Sequence, residues 1–199
     1  MASSFSGALL VIDIAYNLHS GLVIPSINFT HNENEIKGST MSNPAYMWLT
    51  DENGSPMTGS SLVSGRIGAI ELKSLTHNVN IPADSNTGRL TGTRIHAPIM
   101  FQKEFDRVTP LLYKALTTGV TLKSAMIKMY MINEAGVEIE YFNILLENVK
   151  ITSITPDLYP GVGSGTHLET VLLRYESITW KHCEGNIVYK DSWNHRVVA

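Results

Sequence analysis

Gly65-Arg66-Ile67-Gly68-Ala69-Ile70-Glu71-Leu72-Lys73-Ser74-Leu75-Thr76-His77 and Thr93-Arg94-Ile95-His96-Ala97-Pro98-Ile99-Met100-Phe101-Gln102-Lys103 are the two runs from which the fold is read. In the first, Ile70 and Leu72 alternate with Glu71 and Lys73, the two-residue period of a half-buried strand. The second is also β-prone. The span between them, Asn78 to Gly92, is polar and punctuated by Pro82, Gly88 and Gly92. A tight hairpin needs only about two to five loop residues, so a longer ordered loop is expected here, with a functional role in reaching a neighbouring subunit.

The β pattern continues on both sides. Ala45-Tyr46-Met47-Trp48-Leu49 is closed by the turn signal Asp51-Glu52-Asn53-Gly54. Leu122 to Ile132 and Val137 to Leu146 flank Asn133-Glu134-Ala135-Gly136, a hairpin signal. Asn148 marks a bend into Val149–Ile154, and Pro156 to Thr166 reads as a flexible loop. His167 to Trp180 is expected as one long strand, apolar on both faces, and Ile187 to Trp193 as the last. One helix is punctuated by Thr109 as N-cap, Pro110 at the first helical position and Gly119 as a left-handed stop. Leu111, Leu112, Ala115 and Leu116 form its apolar face. Short strands joined mostly by hairpins predict a mainly β chain, an antiparallel barrel or sandwich with one short helix.

Residues 1–40 read differently. They lack a strong helix or hairpin signature and are expected as an N-terminal extension, a candidate for disorder, ahead of a β domain over 41–199. The competing reading is that Leu9–Ile14 adds a strand to a barrel edge.

Composition removes several function classes. The net charge is −3 and no Lys/Arg cluster occurs, which argues against a sequence-independent nucleic-acid binder. Ala8–Ile12 is too short for a membrane span and has no basic flank, so neither membrane insertion nor a cleaved signal peptide is expected. A single cysteine, Cys183, excludes an internal disulfide. Asp84-Ser85-Asn86-Thr87-Gly88 opens like a calcium loop but has Gly88 and Ile95 where acidic ligands belong. No histidine stands at metal-ligand spacing; His77 and His96 flank the long loop and read as hydrogen-bonded structural residues. No catalytic constellation, cofactor loop or metal set is found.

Ile81-Pro82, Asp84, Asn86-Thr87-Gly88, Leu90-Thr91-Gly92-Thr93-Arg94-Ile95-His96 and Pro98, continued by Pro110–Ala115, Glu140-Tyr141-Phe142, Leu146–Val149, Leu173–Trp180, Gly185-Asn186-Ile187 and Asp191–Asn194, resemble the Hcp (haemolysin-coregulated protein) family. These are the tube proteins of the bacterial type VI secretion system, and the likeness runs from about Met41 to Arg196. It implies an antiparallel β-barrel of two packed sheets with one short α-helix. It further implies a non-enzymatic subunit of stacked hexameric rings, made in the cytoplasm and exported by type VI secretion. The implied partners are other copies of the chain, the VgrG spike, sheath proteins and effectors carried in the lumen, with no cofactor. An effector-binding chaperone or receptor module and a phage-tail-tube-like structural protein are the alternatives; a hydrolase lacks a site. Asp84, Asn86, Arg89 and Arg94 on the long loop are the candidate contacts to a neighbouring subunit or ring.

Overall fold

The computed structural model describes residues 11–19, 22–30, 43–158 and 167–193. The chain divides into two units, Met1–Ser42 and Asn43–Ala199. In the first, β1 (Val11–His19) and β2 (Leu22–Thr30) pair antiparallel as a hairpin. No hairpin signature marks this segment in the sequence, because Gly21 alone is a weak turn signal.

The second unit carries β3 (Ala45–Thr50), β4 (Pro56–Met57), β5 (Ile70–Leu72), β6 (Ser74–Thr76), β7 (Val79–Asn80), β8 (Ile95–His96) and β9 (Ile99–Glu104). The helix α1 (Thr109–Thr118) follows, then β10 (Leu122–Ile132), β11 (Glu138–Asp157), β12 (Leu168–Arg174), β13 (Ser177–His182) and β14 (Ile187–Ser192). The main sheet runs β4-β3-β10-β11-β12-β9-β6, with β5 on β3 and β13 and β14 continuing from β11. All its pairings are antiparallel. The mainly β class with one helix is as expected, but the sheet is not closed into a barrel. The two strands that would join its ends, β5 and β6, pair with β3 and β9 respectively and are separated at Lys73, whose amide donates to the carbonyl of Gln102 at 2.8 Å.

The corner of the sheet is set by Asn148. Residues Phe142–Glu147 of β11 pair with β13, whereas Lys150–Asp157 pair with β12. Asn148 between them has φ 53°, a left-handed conformation that asparagine tolerates better than most residues. Opposite it the expected long strand His167–Trp180 is broken into β12 and β13 at Tyr175-Glu176. There the Glu176 amide donates to the Glu147 carbonyl at 3.0 Å and its carboxylate accepts from Asn148 Nδ2 at 2.6 Å. The apolar residues on both faces of that run reflect two strands in two arms of the sheet, not one central strand. The end of the expected loop, residues 159–166, lies outside the described residues; Pro156 and Asp157 belong to β11.

Met47, Leu49, Ile99, Phe101, Ile127, Leu146, Val171 and Leu173 are buried together, and α1 closes this core with Leu112 and Ala115. Gly119 ends the helix with φ 67°. The N-cap is Val108, not Thr109. The Thr109 hydroxyl is taken up by a buried polar cluster: it donates to Glu169 Oε1 at 2.7 Å and accepts from Lys103 Nζ and the Asp106 amide, each at 3.1 Å. Lys103 Nζ lies 2.6 Å from Glu169 Oε1 and 2.7 Å from Asp106 Oδ1.

Candidate functional site

The long polar span is a two-stranded arm. Val79 pairs with His96 and Asn80 with Ile95 across β7 and β8, and Ala83 bridges Leu90 further out. The Thr91 amide donates to the Pro82 carbonyl at 2.9 Å, and the Asp84 amide to the Arg89 carbonyl at 2.8 Å. The span is long because its two sides pair with each other, which periodicity over so few residues does not reveal.

Asp84 builds the tip. Its Oδ1 accepts from the Asn86 amide at 3.0 Å, the Thr87 amide at 2.7 Å and the Thr87 hydroxyl at 2.8 Å, while the Gly88 amide closes the turn on the Asp84 carbonyl. The Thr87 bonds hold this carboxyl below its usual value. Arg89, the other charge at the tip, is exposed. Val79, Ile81, Leu90 and Ile95 also stand exposed along the arm, and apolar groups gathered on one projection are a feature of contact surfaces.

Arg94 is placed elsewhere. At the arm's base it donates from Nε and from Nη2, the latter at 2.6 Å, to the two oxygens of Asp191, a bidentate pair, and from Nη2 to the Ser192 carbonyl at 2.8 Å. Burial pushes the Asp191 carboxyl up, but Arg94, the Ser192 amide and His96 outweigh it and hold the group below its ordinary value. The four candidate contact residues therefore fall into two places: Asp84, Asn86 and Arg89 at the tip, Arg94 tied to β14 of its own chain.

His77 and His96 do meet, with ring centroids 6.3 Å apart. His77 Nε2 and His96 Nδ1 lie 2.7 and 2.8 Å from the same hydroxyl, that of Tyr175, and Trp180 stacks against both rings. Tyr175, Trp180 and Asp191 carry no local sequence signal for this role, since they are distant in the chain from the arm they hold. A second exposed projection, Ser60–Gly68, presents Leu62 and Ile67 and is pinned by Arg66, which donates to Glu138 and lies 3.7 Å from the Tyr130 ring centroid. At the sheet's margin β14 pairs only with β13 among the described residues, and Ile187, Val188 and Tyr189 on it are exposed. Among the described residues no group of three or more His, Cys, Asp or Glu side chains is arranged to hold a metal, and no helix is long and apolar enough to cross a membrane. Burial pushes the Cys183 thiol up, away from the thiolate form that a nucleophile needs.

The arm, the pinned loop and β14, whose strand partner among the described residues is β13, stand on one β framework. The model of the family described as "Type VI secretion system effector, Hcp" matches residues 46–182. The chain belongs to the Hcp family. Its relatives include the "Major exported protein" of Pseudomonas aeruginosa, 32% identical over 172 residues that span 80% of this chain and 100% of that protein. Among solved structures, Hcp1 of the Escherichia coli EAEC 042 pathovar is 51% identical, with a TM-score of 0.71, 76% of this chain and 99% of that one covered. Secreted protein Hcp3 of Pseudomonas aeruginosa is 28% identical with a TM-score of 0.63, covering 77% and 99%. Hcp is a structural component of type VI secretion, and the fold of this chain is the family's.

Proposed function

We propose that this Hcp-family chain is a tube subunit of a type VI secretion system, assembling into hexameric rings that stack, are exported and carry effectors in the lumen. Family membership over residues 46–182 is the observation that carries the reading. Two structural features support it. Ile187, Val188 and Tyr189 stand exposed on β14, whose strand partner among the described residues is β13, and are apolar groups that a neighbouring subunit would cover. The arm offers exposed apolar residues and, at its tip, Asp84 and Arg89, charges that set register between copies. The spike, the sheath and cargo are the partners this role requires, and its work is mechanical, without a catalytic step.

Arg89 tests the arm. Because Arg94 is tied to Asp191 within the chain, changing it would disturb the arm itself, whereas among the described residues the hydrogen bonds of Arg89 are made by its backbone. Arg89→Glu is expected to leave the melting temperature unchanged while reducing tube length and the amount of protein exported. Normal tubes and normal export in that variant would refute the tip's role.

A further inference from the structure

Two histidines at the arm's base share a single hydroxyl. His77 precedes β7 and His96 lies in β8, so one stands on each side of the arm, whereas their partners Tyr175 and Asp191 belong to the sheet. Nε2 of His96 lies 3.0 Å from Asp191 Oδ2. A carboxylate only accepts, so this nitrogen carries a hydrogen. In a neutral His96 the Nδ1 is then bare and accepts from the Tyr175 hydroxyl. The hydroxyl oxygen in turn accepts from Nε2–H of His77. Each proton has one place in the line His77 to Tyr175 to His96 to Asp191, and Arg94 completes it by donating to Asp191.

Acid breaks this accounting. A proton on Nδ1 of His96 turns that acceptor into a donor, and the hydrogen of the buried Tyr175 hydroxyl loses its partner. A proton on His77 places charge on a ring that burial and His96 already hold below the ordinary histidine value of 6.5. Two facing groups favour an imidazolium, Asp191 on β14 and the Trp180 ring on β13. Against it stand the second histidine, Arg94 beside Asp191, and Arg174, which sits over the Trp193 ring that itself abuts His96. One charge finds partial compensation; two do not.

We infer that His77, Tyr175, His96 and Asp191 form an acid-released latch that holds the arm to the sheet at neutral pH and frees it as His77 becomes charged. The sign follows from the lowered value of His77. A histidine easier to protonate in the open arm than in the closed one contributes its full closing free energy above pH 6.5, and that contribution is lost progressively below it. The latch is intramolecular and does not rest on ring assembly. If the arm serves ring contacts, acid would loosen them as a consequence.

Amide hydrogen exchange on the full chain, corrected for the intrinsic effect of pH, tests the latch. Between about pH 7.5 and about pH 5.5, arm amides from Val79 to Ala97 are expected to lose ~3-fold or more in protection, while β10 amides keep theirs. His77→Gln retains a hydrogen-bonding group but removes the titrating charge, and is expected to blunt the acid response while preserving protection at neutral pH. Tyr175→Phe is expected to expose the arm at both pH values. Ring-proton NMR of the unaltered chain is expected to give His77 a midpoint below 6.5. Equal corrected protection at both pH values, an undiminished acid response in His77→Gln, or a His77 midpoint at or above 6.5 overturns the latch.

Discussion

Replacing Lys103 by Met should destabilise the fold more than most single changes, although Lys103 touches no proposed contact surface. Its side chain is 1% exposed, and the ammonium stands 2.6 Å from the carboxylate of Glu169, whose side chain is 0% exposed. Among the described residues, Glu169 Oε2 has no hydrogen-bond partner, so Lys103 and the Thr109 hydroxyl are what compensate this buried charge. Removing one partner of a buried pair costs about 3–5 kcal/mol, mostly from the orphaned charge. At about 2–4 °C per kcal/mol for a domain of this size, Lys103→Met should melt about 6–20 °C lower. The double variant Lys103→Met, Glu169→Leu removes the most buried charge as well and should recover part of the loss, the remainder reflecting Asp106, which still loses its ammonium partner. Melts followed by circular dichroism at one fixed protein concentration report this, since assembly would otherwise make the midpoint concentration-dependent. A single variant melting within about 2 °C of the unaltered chain, or a double variant no better than the single, would refute the reasoning.

Three further outcomes are expected. A Cβ on Gly59 would meet the Ala69 carbonyl oxygen at 2.4 Å, so Gly59→Ala should cost about 1–3 kcal/mol in urea unfolding and expose the Ser60–Gly68 loop to protease; unchanged stability would contradict the close approach. Glu147, lowered mainly by Lys190, and Glu140, where Lys128 and Asn143 outweigh burial, have depressed values, so their stabilisation is present above 4.5 and lost as pH falls through their folded values. In a His77→Gln background, urea midpoints should then hold level from neutrality to about pH 5 and fall below it, and a fall confined to higher pH would contradict this. A chain starting at Met41 should fold and melt close to the full chain, because residues 1–42 are a separate unit; a large drop in melting temperature would make the extension part of the domain's stability.

Much of this fold is visible in local pattern. The run Leu122–Ile132 coincides with β10, and the turn after it is made as its residues suggest: Asn133 Oδ1 accepts from the amides of Ala135 and Val137, and Gly136 has φ 74°. Gly119 and Asn148 do what their freedom to adopt positive φ suggests. What stays hidden depends on distant partners. The break at Tyr175-Glu176 exists because Glu147 and Asn148 lie opposite, and alternation within β12 and β13 cannot register them. The open ladder at Lys73 is set by which neighbours each short strand finds. Thr109 has the chemistry of an N-cap, yet Glu169 and Lys103, both buried, claim its hydroxyl. At the arm's tip Asn86 and Arg89 are exposed and Asp84 is half-buried, whereas Arg94, equally polar in sequence, is committed to Asp191, far along the chain.

Electron microscopy of the purified full-length protein is the most direct test of a tube subunit. Images at micromolar concentration should show rings with a central hole and about sixfold symmetry, some stacked end to end, as closed assembly of one chain requires. Particles that remain single chains at every concentration, with no ring or stack, would contradict the account.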